Sequence, residues 1–314
     1  MSKKKESINI QKPFIKWVGG KTQIIDDVIA SFPSEINNYH ELFLGGGSVL
    51  LAILSLKKQG VIKINNKIYA YDLNHLLINL YKHIQTEKDA IFNYITQYKT
   101  EYDSIKGEVV KGKNRELPPH DTKEDAMKSK PAYYYWLRNK FNNMDKNTVE
   151  YSAIFIVINK LCFRGVYREG KKGFNVPFGH YKTTPTIITQ EELDNISELI
   201  KDVEFIKSDF NDSIIRAEPG DFVYMDPPYA PESSKSFVGY TADGFDLNMH
   251  KKLFEEIKKL AGKNIKFSMS NARVDLVTDT FKEEDGYLYK NIIARRAINS
   301  KDPSDVTTEV IIRN

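Results

Sequence analysis

The feature that most limits how this chain can fold is the repeated pairing of a short apolar run with a segment of helical period, the junction marked each time by glycine or aspartate. From Tyr39 a short strand leads through Gly45-Gly46-Gly47 into residues 48–56, whose apolar residues suit a buried helix. Residues 67–71 form a second apolar run ending at Asp72, and residues 73–84 carry helical spacing at Leu76, Leu77, Leu80 and Ile84. The rhythm returns late in the chain. Residues 203–206 precede Asp209, residues 222–225 precede Asp226, residues 249–260 read as an amphipathic helix, and residues 265–268 read as a strand. Such alternation predicts an α/β fold with an open, mostly parallel sheet covered by helices. Ligands of these sheets lie beyond the carboxyl ends of the strands, so Gly45, Asp72, Asp209 and Asp226 are expected to converge on one cleft.

Between about residues 82 and 189 the alternation lapses. Residues 104–130 are rich in lysine, glutamate and proline and read as a long surface loop; residues 131–141, with Tyr133, Tyr134, Tyr135 and Trp136, read as a helix. At 314 residues the chain exceeds an ordinary domain of roughly 100–200 residues, so this stretch is expected to be an inserted domain. Within residues 151–182, Lys160, Arg164, Arg168, Lys171, Lys172 and Lys182 face Glu169 alone, an excess of five positive charges where the whole chain has four. A composition of 41% hydrophobic and 28% charged residues excludes a disordered, collagen-like or coiled-coil chain. No apolar stretch nears the roughly 20 residues that span a bilayer, and the lysine-rich start, residues 1–7, lacks a following apolar block, so a cytoplasmic location is expected. The single Cys162 cannot form an internal disulfide and reads as a small packed residue, and the six histidines lack metal-ligand spacing, so no metal site is expected.

The most informative chemistry lies in Asp226-Pro227-Pro228-Tyr229, directly after the apolar strand Phe222-Val223-Tyr224-Met225. An exocyclic amine on a heteroaromatic ring is a poor nucleophile because its lone pair is delocalised. A site that alkylates it must hold both N–H bonds and aim the nitrogen at the electrophile. Asp226 can accept one hydrogen bond and the Pro227 carbonyl, fixed by the restricted Pro-Pro backbone, the other, while Tyr229 offers a ring for stacking. Asp-Pro-Pro alone also suits a plain strand-ending turn; Tyr229 and the apolar strand favour the site. In Glu41-Leu42-Phe43-Leu44-Gly45-Gly46-Gly47-Ser48, glycines at a strand-to-helix turn allow a ligand close to the backbone, and Asp72, one strand later, is a candidate to hold ribose hydroxyls. A tight structural turn is the lesser alternative when these glycines are taken alone. Phe14-Ile15-Lys16-Trp17-Val18-Gly19-Gly20-Lys21-Thr22 ends like a phosphate loop, but Ile15 stands where that loop needs glycine and no buried strand precedes it.

Taken together, these segments closely resemble the Dam-type family of DNA adenine-N6 methyltransferases over nearly the whole chain, with F-I-K-W-V-G-G-K, E-L-F-L-G-G-G-S-V, Y-D-L-N and D-P-P-Y in the family's order. The resemblance implies a Rossmann-like methyltransferase sheet, residues 1–81 and 190–314, with an inserted, mostly helical target-recognition domain, residues 82–189. It implies S-adenosylmethionine as cofactor, touched by Trp17, Lys21, Phe43, Gly45, Gly47, Asp72 and Asp226, with Asp209 and Phe210 around its adenine ring. It also implies duplex DNA as partner. Residues 159–168 and Phe174-Asn175-Val176-Pro177-Phe178-Gly179 resemble the recognition hairpin and its support, although Phe163-Arg164 stands in place of a tyrosine-asparagine pair and the 104–130 loop is longer.

Arginine can read a guanine edge, valine or proline a thymine methyl, and an aromatic can wedge into the stack, which makes Phe163, Arg164, Val166, Arg168 and Pro177 the candidates, beside Lys160. A phosphate contact or a solvated charge explains each arginine taken singly as well. The resemblance adds Lys16 on another guanine, giving a G-A-T-C-like site. The extruded adenine is expected to lie between Tyr229 and a downstream aromatic, Phe245 in G-F-D-L. A monomer on DNA is expected. The same fold acting on RNA adenine, on cytosine N4 or on a protein glutamine amide remains an alternative, as does a catalytically silent DNA-binding module.

Overall fold

The computed structural model describes residues 9–106, 120–181, 183–231, 245–295 and 306–314. The lysine-rich start, the centre of the 104–130 loop and Lys182 lie outside the described residues. Two compact units emerge: one from the described residues within 1–12, 21–75 and 202–314, the other from those within 13–20 and 76–201.

The first unit holds a seven-stranded sheet among its described residues. Its strands are β1 (Tyr39–Glu41), β2 (Ile68–Asp72), β3 (Val203–Lys207), β4 (Phe222–Met225), β5 (Lys266–Ala272), β6 (Leu288–Arg295) and β7 (Val306–Arg313), in the order β6-β7-β5-β4-β1-β2-β3. The five strands β3-β2-β1-β4-β5 are parallel, and β7 and then β6 add on antiparallel. The sheet is therefore mostly parallel, as the alternation predicts. From β1 the chain builds outward through β2 to β3, then returns to the other side of β1 for β4 and β5. That reversal opens a crevice at the carboxyl ends of β1 and β4, where a doubly wound sheet takes its ligand. Asp72 ends β2, Asp226 follows β4, and Gly45 and Asp209 lie in the loops after β1 and β3.

Helix α1 (Ser48–Lys58) follows the glycine turn and is buried from Ser48 through Leu56, which is why its sequence is apolar on every side. Helix α6 (Leu247–Gly262) is one-sided instead. Asp246 caps it by accepting from the Met249 amide, and His250, Leu253, Phe254, Ile257 and Leu260 bury one face. That face joins Val223, Met225, Phe267 and Met269 in a single core cluster.

The second unit is mostly helical, with α2 (His75–Ser104), α3 (Lys130–Asn143), α4 (Val149–Leu161) and α5 (Gln190–Ile200) and a two-stranded ribbon pairing Glu169–Gly170 with Gly173–Phe174. Helix α2 has a non-helical residue at Glu87 (φ −137°, ψ 32°). Ser129, Thr148 and Thr189 cap α3, α4 and α5 through their hydroxyls. The sequence division at residues 81/82 and 189/190 differs from the observed one at 75/76 and 201/202. Helices α2 and α5 belong together because the Gln85 amide donates to the Ile200 carbonyl at 2.7 Å and Lys88 pairs with Asp194. Asn159, Lys160 and Leu161, read from sequence as the start of a hairpin, are instead the last turn of α4, and part of the expected 104–130 loop is a short helix, Lys123–Ala126. No helix among the described residues is long and apolar enough to cross a membrane.

One buried carboxylate holds β1 against β4. Asp221, just before β4, accepts from the side chain of Asn37, from the backbone and side-chain nitrogens of Asn38 and from the Glu218 amide at 2.8–3.1 Å, and its second oxygen lies 3.2 Å from His40 Nε2. Burial opposes its ionisation, but the donors from Glu218, Asn38 and His40 hold its carboxyl below the usual range. Replacing Asp221 with Ala leaves several buried donors unpaired and should lower the unfolding free energy by about 2–4 kcal/mol in urea melts at neutral pH. Because the native value is depressed, the contribution is present above the unfolded carboxylate's pKa and is lost as pH falls through the native one, so wild type and variant should converge in acid.

Candidate functional site

The turn between β1 and α1 owes its path to glycine. Gly45 (φ 51°) and Gly47 (φ 71°) are left-handed, and Gly47 immediately precedes α1. Asp72 ties this turn to the end of β2: one carboxylate oxygen accepts from the Gly45 amide and the other from the Asn74 amide, both at 2.8 Å. Burial raises the Asp72 carboxyl, and these backbone donors oppose the rise. Beside the turn, the Phe43 ring lies 6.1 Å from Phe210 and 6.0 Å from Phe245, and Phe210 and Phe245 are 5.8 Å apart. Asp209 caps the short helix Phe210–Ile214 by accepting from the Asn211 and Asp212 amides. Leu73, next to Asp72, is 66% exposed.

The second half of the site is built around Asp226. Its Oδ2 lies 2.7 Å from the Lys21 ammonium, and Lys21 is only 5% exposed. Its Oδ1 is buried and has no hydrogen-bond partner. Burial pushes the Asp226 carboxyl up to about 6, with Lys21 pulling it down and Glu309 adding to the rise. Lys21 is set by its backbone, whose amide donates to Ser48 Oγ at 3.0 Å at the start of α1. The ammonium also lies 5.0 Å from the Tyr229 ring centroid. Pro227 is buried and Pro228 exposed. Asn271 on β5 accepts the Ala230 and Ala272 amides, pinning the chain just after Tyr229. The Tyr229 hydroxyl donates to Glu309 on β7 at 2.8 Å. Such an arrangement can hold a planar amine: one carboxylate oxygen is committed to a cation and the other is an unmet acceptor, beside a tethered aromatic ring.

In the second unit the Asn159 side chain accepts from the Lys16 amide at 2.8 Å and donates to the Lys16 carbonyl at 2.9 Å. Trp17 stacks on Tyr167 with centroids 4.8 Å apart, and the Lys16 ammonium lies 5.5 Å from the Tyr181 ring. Gly165 (φ 67°) runs so close to the Lys16 side chain that a Cβ there would fall 2.2 Å from it. Burial lowers the Lys160 ammonium, with Lys16 adding to the effect. Phe163, Arg164, Arg168 and Pro177 are exposed and Val166 half-buried. The Phe163 amide donates to the Pro177 carbonyl at 2.8 Å, and Arg168 Nε donates to Asn175 at 2.7 Å.

Sequence reasoning missed Glu309, Asn271 and the protonation of Glu41. The available signals were a glutamate inside an otherwise strand-like stretch, residues 306–312, and an asparagine at the end of the apolar strand before Ala272. Among the described residues no cluster of three or more metal-ligating side chains occurs.

A sequence model of the D12 class N6 adenine-specific DNA methyltransferases matches residues 17–298. The chain is 33% identical over 317 aligned residues to the type II methyltransferase M.MjaIII of Methanocaldococcus jannaschii, covering 96% of this chain and 99% of that protein. It is 30% identical to the type II methyltransferase M1.LlaDCHI of Lactococcus lactis subsp. cremoris (99% and 97% covered). It is 28% identical to a DNA adenine methylase of Haemophilus influenzae (96% and 92% covered).

Burial pushes Glu41, on β1, up to about 8; the Tyr39 hydroxyl and the Leu50 amide oppose this, and Asp226 and Asp72 reinforce it. Glu41 is thus a neutral acid at neutral pH, which limits the negative charge around Asp226. The native state holds a proton that the unfolded chain releases, so this group lowers stability progressively as pH rises from about 4.5 to about 8. Glu41→Gln keeps an acceptor for Tyr39 and should raise the unfolding free energy at pH 8 by on the order of a few kcal/mol, with little gain at pH 4.5, in paired denaturant titrations.

Proposed function

The chain belongs to the D12 class of N6 adenine-specific DNA methyltransferases, and from that premise we propose that it methylates the exocyclic amine of an adenine extruded from duplex DNA at a G-A-T-C-like site, with S-adenosylmethionine as donor. The observation that carries the reading is the divided carboxylate of Asp226, with one oxygen on Lys21 and the other buried without a partner. A buried acceptor left open in this way matches an amine N–H, and the Pro227 carbonyl suits the second N–H.

The residues present fit the cofactor. The left-handed Gly45 and Gly47 admit it close to the backbone, and the Asp72 carboxylate, which accepts the Gly45, Asn74 and Leu73 amides, retains acceptor capacity for a ribose hydroxyl. Phe43 and Phe210 suit an adenine ring, with Leu73 as a further apolar wall. Phe245 packs with Phe43 and Phe210, which supports assigning it to this cofactor wall and leaving Tyr229 as the stacking partner of the target base. When bound, S-adenosylmethionine supplies an electrophilic methyl group on a sulfonium.

Asp226 and Pro227 then orient the amine so that its nitrogen faces that methyl group. As positive charge develops on the nitrogen, the Asp226 carboxylate stabilises it, and the proton leaves afterwards to Asp226 or to water. Lys21 keeps Asp226 ionised and holds one of its oxygens in place. In the second unit, the exposed Phe163 is suited to wedge into the stack, and Arg164, Arg168, Val166 and Pro177 to meet base edges. Lys171 and Lys172, exposed on the ribbon turn, suit phosphates.

Base-resolved mapping of methyl groups on DNA incubated with the protein and labelled S-adenosylmethionine tests the proposal, with RNA and protein substrates in parallel. N6-methyladenine within one short duplex sequence is expected; label on cytosine, on RNA only, on protein only or on nothing rejects it. Asp226→Ala should slow transfer by roughly 100- to 1,000-fold, the size of loss seen when a group that stabilises developing charge is removed. Because Asp226 must be ionised to accept the amine, single-turnover rates should fall on the acid side with a midpoint near 6.

A further inference from the structure

Glu309 stands on β7, at the end of the chain, yet its Oε2 accepts the Tyr229 hydroxyl at 2.8 Å. Tyr229 is therefore held from three directions: at its tip by Glu309, through the following backbone by Asn271, and over one ring face by the Lys21 ammonium. With a cation over one face, stacking uses the opposite one. A half-buried tyrosine hydroxyl needs a partner, but a neutral acceptor would meet that need. A carboxylate here comes at a cost, because Glu309 adds to the rise of the Asp226 carboxyl. What a carboxylate offers in return is a shorter, stronger and more directional hydrogen bond, fixing the ring's tilt and depth beside Asp226.

We propose that Glu309 is a positioning residue for methyl transfer, acting through the Tyr229 hydroxyl to fix the ring on which the extruded base stacks. This rests on the reading of Tyr229 given above. Neither Glu309 nor its strand touches the reacting atoms in this account; at pH 8, well above the Asp226 midpoint near 6, its charge effect on Asp226 is silent and what remains of its effect passes through the phenol.

The test compares Glu309→Ala, Glu309→Gln, Tyr229→Phe and the double variant Glu309→Ala/Tyr229→Phe in the full chain, by single-turnover methyl transfer to duplex DNA and by cofactor affinity. Losing a hydrogen bond to a charged group should slow Glu309→Ala and Tyr229→Phe each by about tenfold while cofactor affinity is unchanged. The double variant should be no slower than either single one, and Glu309→Gln, which keeps a neutral and weaker acceptor, should recover only part of the loss. Wild-type rates in Glu309→Ala, multiplying losses in the double variant, or equal losses in the Ala and Gln variants would overturn the proposal. If the Ala variant does not fold, Glu309→Asp, which withdraws the carboxylate by one methylene, replaces it with the same expected loss.

A second readout needs no DNA. The fluorine resonance of 3-fluorotyrosine placed at position 229 should shift and narrow when Glu309 is replaced, and an unchanged resonance counts against the proposal. A wild-type protein that leaves DNA unmethylated rejects the functional reading, while the fluorine signal still decides whether Glu309 orders the ring.

Discussion

The ion pair between Lys21 and Asp226 is the interaction on which the rest of this site depends. Burial alone would keep the Asp226 carboxyl protonated, and a protonated acid offers a weaker acceptor and no charge to a developing cation. Lys21 counters this from one side only, leaving Oδ1 open. Removing both groups from water is expensive, and buried pairs of this kind contribute little net stability against an apolar replacement. Their value lies in fixing a charge state and a direction. A backbone bond to Ser48 at the start of α1 sets Lys21, so the pair depends on the same strand-to-helix turn that carries Gly45 and Gly47.

The surroundings manage that charge. Glu41 lies one strand away and is a neutral acid, so it adds no full negative charge beside Asp226. Asp72 accepts backbone amides from Gly45, Asn74 and Leu73, which locks the glycine turn while leaving acceptor capacity for a ligand. Glu309 works against the trend by raising the Asp226 carboxyl, and its bond to Tyr229 is the compensating gain. The topology brings these groups together: β1, β2 and β4 end at the same edge of the sheet, and β7 lies beyond β5 on the side of β4.

Much of this was legible in the sequence. Strands β1 to β5, the glycine turn and the aspartates at the strand ends follow from local alternation and turn chemistry, and the D-P-P-Y chemistry follows from residue type. The β6–β7 pair was not legible, because polar residues such as Lys290, Asn291 and Glu309 interrupt its apolar residues and its partners are distant in sequence. Asn159, placed in the hairpin by the resemblance, stays in the last turn of α4, where its side chain meets both backbone groups of Lys16, 143 residues away. The packing of Phe245 beside Phe43 and Phe210 was likewise not legible, since these rings lie far apart in the chain.

The sequence by itself determined the parallel α/β order, the placing of Gly45, Asp72, Asp209 and Asp226 after strands, and the kind of chemistry an Asp-Pro-Pro-Tyr strand end supports. Those follow from periodicity and functional groups, which are properties of short segments. Only the tertiary structure decided which Asp226 oxygen is committed and which is open, that Glu41 carries a proton, and that a glutamate on the last strand grips Tyr229. Each of these is set by burial and by contacts between residues far apart in the chain, and no local pattern encodes them.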